Sequence, residues 1–221
     1  HYLGRTEYEQ LRDVAAQLMQ QYPPSTHYLV FAGQSTVALQ AFYEAVAPKH
    51  ATKARGFSQH SVYLPADGLS KRIKSEWRAE FDLHFKHFLP FKEIGRRRIV
   101  LVRQASSGTS LARLQTQLGR YLKARRMPTT ISALGLTDGP ARLGSSVSGL
   151  DISSYPDVVG YRGAGKKPVA PYASHRIGRR KLEDLSWQKG YDQLLRAMRQ
   201  RVAEDGRLAS TLPPLPGGAA R

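Results

Sequence analysis

Seven residues, Gln104-Ala105-Ser106-Ser107-Gly108-Thr109-Ser110, surround one glycine with hydroxyls in a pattern suited to holding an anion. They follow the apolar run Ile99-Val100-Leu101-Val102. They precede Leu111, Leu114, Leu118, Tyr121 and Leu122, which repeat at helical spacing. The first N–H groups of a helix have no internal partner, and the helix dipole adds positive potential at that end. A phosphate satisfies both. Ser106, Ser107, Thr109 and Ser110 would add hydroxyl donors, and Gly108 would let the backbone approach closely. The plainer alternative is an ordinary helix cap at Ser107 or Ser110. Gly33-Gln34-Ser35 forms a second loop of the same kind after an apolar run.

Other chemistries find less support. A serine nucleophile requires a Gly-x-Ser-x-Gly elbow, which neither Ser106-Ser107 nor Gly33-Gln34-Ser35 provides. His84 and His87 stand three apart and read as a pair on a helix surface. With no third ligand at a suitable spacing, no metal site is expected. Asp138, in Thr137-Asp138-Gly139-Pro140, reads as a turn residue, with a ligand-facing carboxylate at a strand end as the alternative.

The elements that must position these groups are legible as periodicities. Tyr8, Leu11, Val14, Ala15 and Leu18 predict a helix capped by Thr6, with Glu9 at capping-box distance and Pro23-Pro24 as its stop. His27–Ala32 predicts a buried strand. Val37, Leu39, Phe42 and Val46 predict a helix ending near Pro48. Residues 49–68 read as loop with a short strand at Ser61–Leu64. Ile73, Trp77, Phe81, Phe85 and Phe88 predict an amphipathic helix over 69–88, with Glu76, Glu80 and Asp82 on its solvated side. Ile99–Val102 reads as a parallel strand buried on both faces. A second strand, Thr129–Leu136, follows the helix and completes a βαβ crossover. Residues 138–181 show no clear periodicity beyond a short strand at Val158-Val159. A last helix is expected over 182–203, and a flexible tail from Leu208, where Pro213, Pro214 and Pro216 cluster. The expected whole is one α/β domain over residues 1–207, a mostly parallel sheet with helices on both faces. Ligands of such sheets bind at the carboxyl ends of the strands, where loops 32–35 and 103–110 lie.

The order strand, Ser107-Gly108-Thr109-Ser110, helix, strand resembles the type I phosphoribosyltransferase fold. The resemblance covers residues 27–137. It implies that this loop cradles the 5-phosphate of phosphoribosyl pyrophosphate or a nucleotide. Leu29-Val30-Phe31-Ala32-Gly33-Gln34-Ser35 is similar to the family's pyrophosphate-holding loop. The family places two adjacent acidic residues before the phosphate loop; here those places hold Val102 and Arg103 or, in the nearest alternative register, Arg103 and Gln104, with no carboxylate in either. An arginine there favours a phosphate or carboxylate and disfavours a magnesium-bound diphosphate. The resemblance therefore implies binding of a phosphorylated ribose or nucleotide, either without turnover or with chemistry other than ordinary ribosyl transfer. It also makes residues 138–181 a hood over the ligand.

Charge carries the competing readings. Lys and Arg number 34 against 17 Asp and Glu, a net charge of +17 that draws phosphates, nucleic acids and anionic surfaces. Arg176, Arg179, Arg180 and Lys181, with Lys166-Lys167 and the interleaved Tyr155, Tyr161 and Tyr172, form the pattern of a nucleic-acid-binding segment. With no cysteine, the chain has neither disulfides nor thiolate metal sites. No apolar run is long enough to span a membrane. A cytoplasmic location is expected. A third reading is an excised toxin or effector module of a secreted protein, since the sequence opens on His1.

Overall fold

The central strands are buried at nearly every successive position, so both faces of the sheet need a cover, and helices supply it on each side. The computed structural model describes residues 3–50, 61–64, 78–127, 129–140, 142–158 and 186–213. In chain order these form α1 (Arg5–Gln21), β1 (His27–Ala32), a 3-10 turn (Gln34–Thr36), α2 (Val37–His50) and β2 (Ser61–Leu64). Then come α3 (Arg78–Phe88), α4 (Phe91–Ile94), β3 (Arg98–Gln104), α5 (Thr109–Ala124), β4 (Ile131–Thr137), β5 (Ser148–Asp151), α6 (Ser186–Glu204) and α7 (Leu208–Thr211).

The five strands are ordered β2-β1-β3-β4-β5, and every neighbouring pair is parallel. This is one of the common doubly wound orders. Leu29, Phe31, Val100, Val102, Leu134 and Leu136 meet α1, α2, α6 and α7 on one face. Tyr28, Val30, Ile99, Leu101 and Ala133 meet α3, α4 and α5 on the other. The expected α/β architecture with helices on both faces is therefore present. Leu111, Leu114 and Leu118 of α5 are fully buried, each contributing roughly 2 kcal/mol of apolar transfer.

Several local expectations are corrected. Helix α1 begins at Arg5 with Gly4 as its N-cap and no side-chain cap, so Thr6 lies inside the first turn. Helix α2 runs past Pro48 to His50. Val158 sits in a turn, its N–H donating to the Tyr155 carbonyl, and buries its side chain in the core rather than in a strand. The extra strand is instead β5, whose residues are mostly exposed. The expected tail also starts too early: Leu208 of α7 and Leu212, the extended residue that caps it, are both buried on the α1/α6 side of the core. His84 is buried with its ring 4.7 Å from Phe88, not on the surface. Phe88 lies equally close to His87, which is exposed. The first part of the expected 69–88 helix lies outside the described residues, as does residue 159.

Helix α1 is tied to the end of α6 by a polar cluster. The Tyr8 hydroxyl donates to Asp205 at 2.9 Å, and the Arg12 guanidinium pairs with the same carboxylate at 3.2 Å. The Arg12 and Asp205 side chains are 11% and 9% exposed, so their charges depend on each other.

Candidate functional site

Strand β1 is followed by a connection that runs over one face to β2, whereas β3 is followed by α5 on the other face. The winding reverses between β1 and β3, and at such a switch point the loops after the two strands diverge and leave a crevice. The two sequence-identified loops are the ones that flank it. They also adjoin, since the 3-10 turn at Gln34–Thr36 packs against the end of β3.

The first loop is held rigidly. Gly33 takes φ 83°, a left-handed conformation that glycine adopts without strain. Its N–H donates to the Leu64 carbonyl at 3.0 Å, fastening the loop to β2. Its carbonyl accepts from both the N–H and the buried hydroxyl of Thr36. Ser35 is half-buried beside it.

In the second loop, Gly108 is itself the N-cap of α5, with φ 75°. The plainer alternative of a serine cap at Ser107 or Ser110 is therefore not what starts α5. A side chain on Gly108 would meet Val147 and Leu143 at 3.4 and 3.5 Å, so this glycine packs against the 142–147 segment. Leu143 also lies over Gly135 and Gly149, which are paired across β4 and β5. Thus 142–147 covers the far edge of the sheet and forms one wall beside α5. Ser106, Ser107 and Thr109 are exposed, Ser110 is half-buried, and the Ser107 and Thr109 hydroxyls lie 3.1 Å apart. No acidic residue stands in the first turn of α5.

A groove of about 450 Å³ opens from this helix start. Ser107, Gly108 and Thr109 form its mouth, Arg113, Thr116 and Gln117 one wall, and Gly144 the other. Arg113, Thr116 and Gln117 were not singled out from the sequence. Their signal is the spacing from Thr109, which puts them on the flank of α5 beside its apolar stripe. Gly144 had no local signal. Its place in the groove comes from the anchoring of Leu143.

Arg103, half-buried near the end of β3, is paired with Gly135 of β4 and shares the α5 face with Ile99 and Leu101. Val102 points to the opposite face and is fully buried. The two positions matching the family's acidic pair therefore diverge across the sheet. Asp138 is exposed after β4. The neighbouring Asp151 has its carboxylate occupied by the N–H groups of Ser153 and Gly139, which hold it below the usual carboxylate range. Among the described residues no three His, Asp or Glu side chains converge on a point. Arg176, Arg179, Arg180, Lys181, Lys166, Lys167, Tyr161 and Tyr172 lie outside the described residues, as does most of the expected hood. No described helix is long and apolar enough to cross a membrane.

No protein-family model matches this chain, and neither does any curated protein.

Proposed function

We propose that this chain binds a phosphorylated ribose or a nucleotide, with its phosphate at the start of α5 and its remainder toward the Gly33–Thr36 loop. The reading is carried by one juxtaposition. The acid-free N-terminus of a 16-residue helix, with exposed Ser107 and Thr109 hydroxyls, opens at the carboxyl end of β3 beside the switch point. Arg113, one turn further along α5, adds a cation to the groove that runs from the same helix start toward Gly144. The resemblance to phosphoribosyltransferases supports the ligand class. Val102 and Arg103, in place of the acidic pair, favour binding over ribosyl transfer.

Calorimetry with phosphoribosyl pyrophosphate and with nucleoside mono- and diphosphates tests this. At least one of them is expected to bind, with little dependence on magnesium. Thr109→Glu puts a carboxylate at the first helical position, where it favours the helix but repels a phosphate. The variant is expected to keep its melting temperature and lose the ligand. Failure of all these ligands to bind, or binding indifferent to Thr109→Glu, overturns the reading.

A further inference from the structure

At the opposite pole, where the strands begin, the surface is dominated by unpaired cations. Lys92 of α4, Arg96 and Arg98 leading into β3, and Lys123, Arg125 and Arg126 at the end of α5 are all exposed. Their elements meet there. Phe91 stacks on Tyr121 with centroids 5.4 Å apart, and the Arg125 guanidinium covers the Tyr121 ring at 3.7 Å. The Arg98 N–H donates to the Thr26 carbonyl and the Ile99 N–H to that of Thr130, bringing the starts of β1, β3 and β4 side by side. Among the described residues none of these six cations forms an ion pair. Elsewhere, Arg5, Arg12, Arg120, Arg199 and Arg201 each pair with a carboxylate.

Structural demand explains only part of this cluster. The dipole of α5 favours cations at its C-terminal end. It gives no reason for Arg96 or Arg98, which lead into a strand. Arg126 adopts φ 54°, a position that glycine fills more easily. Four of the six cations are arginines, whose forked guanidinium matches phosphate oxygens bidentately. The rings of Tyr22 and His27, half-buried, lie 5.4 Å apart, and His27 is the register partner of Arg98. Rings beside a basic track are what unstacked bases require. The sole exposed large apolar side chain among the described residues is Leu83 on α3, which gives a lipid surface little to bury.

We propose that this pole binds single-stranded polynucleotide, with phosphates on Arg96, Arg98, Arg125 and Arg126 and bases against Tyr22 and His27. The site is separate from the crevice and stands or falls independently of it. The test is fluorescence anisotropy of the full chain with a labelled single strand of about 20 nucleotides, long enough to cover a site of this kind, across a salt series. Changing all four arginines to glutamine is expected to flatten the log–log salt slope by about 3, at about 0.7 for each phosphate no longer neutralised. Affinity in moderate salt is expected to fall by roughly tenfold or more over the same change. Because Arg125 also covers Tyr121, the pair Arg96→Gln/Arg98→Gln serves as a second variant, expected to show about half the slope change. Three results overturn the proposal. One is wild-type affinity and slope in both variants. Another is weakened binding on neutralising Arg176, Arg179, Arg180 and Lys181 with none from the pole variants. The third is pole-dependent binding to phosphatidylserine vesicles without binding to the strand.

Discussion

Two demands meet at Gly108. Its backbone must turn left-handed to start α5, and its missing side chain leaves room for Val147 and Leu143. The sequence marks the glycine as special but assigns it to the approach of a phosphate. The partners that explain it lie more than thirty residues away, where no local pattern reaches. Gly108→Ala is expected to lose about 1–2 kcal/mol, mainly from the left-handed conformation, measured as a lowered urea midpoint; an unchanged midpoint would refute this account. Arg12 makes a similar point with charge. Its apolar neighbours at helical spacing are legible, but its partner Asp205 is not. Arg12→Ala leaves the Asp205 carboxylate nearly buried with only the Tyr8 hydroxyl and the Arg207 N–H, and is expected to cost about 3 kcal/mol. Chemical denaturation of that variant, alone and combined with Asp205→Asn, checks it: the second change should add much less than it does in wild type.

Elements with a strong period were readable, and those without one were not. The stripes of α1 and α5 and the continuous apolar runs of β1 and β3 are consequences of burial, so they announce themselves. Strand β5 has four mostly exposed residues at a sheet edge and therefore no alternation to read. Helix α7 is a single turn whose buried Leu208, with Leu212 just after it, sits beside a proline cluster that suggests the opposite. The end of α5 shows what such patterns omit. The Met127 N–H donates to Leu122 and the Arg126 N–H to Lys123, the reverse-turn pair that closes a helix with a left-handed residue. Arginine fills that position. Arg126→Gly is expected to raise stability by about 1 kcal/mol, read as a higher melting temperature. A fall in melting temperature would mean that the Arg126 side chain makes a stabilising contact.

For the molecule as a whole, pH dependence should follow from groups that dislike protonation when folded. Burial, reinforced by Arg98, lowers the His27 pKa from its ordinary 6.5. Its contribution is complete above that value and lost as the pH falls through the folded value. Burial pushes the Asp205 carboxyl up, but bonds from Arg207, Tyr8 and Arg12 outweigh it and hold the group below its ordinary 3.8. Its contribution is likewise lost on acidification, below that value. Melting temperature is therefore expected to decline in two stages as pH falls, the first removed by His27→Gln; a profile unchanged by that substitution would rule out His27 as its source. The layering of the sheet was legible because each strand and helix carries its own hydrophobic pattern. The strand order was not, because nothing in β1 says that β3 rather than β2 alone will lie beside it. That pairing also shapes how the chain reaches its native state. Residues His27–Phe31 must find Arg98–Val102, some 70 positions away, before the centre of the sheet exists. Closing so long a loop gives up chain entropy before any contact repays it, and non-local pairing of this kind slows folding. The crevice beside that seam is therefore absent from any folding intermediate in which β1 and β3 have not yet met.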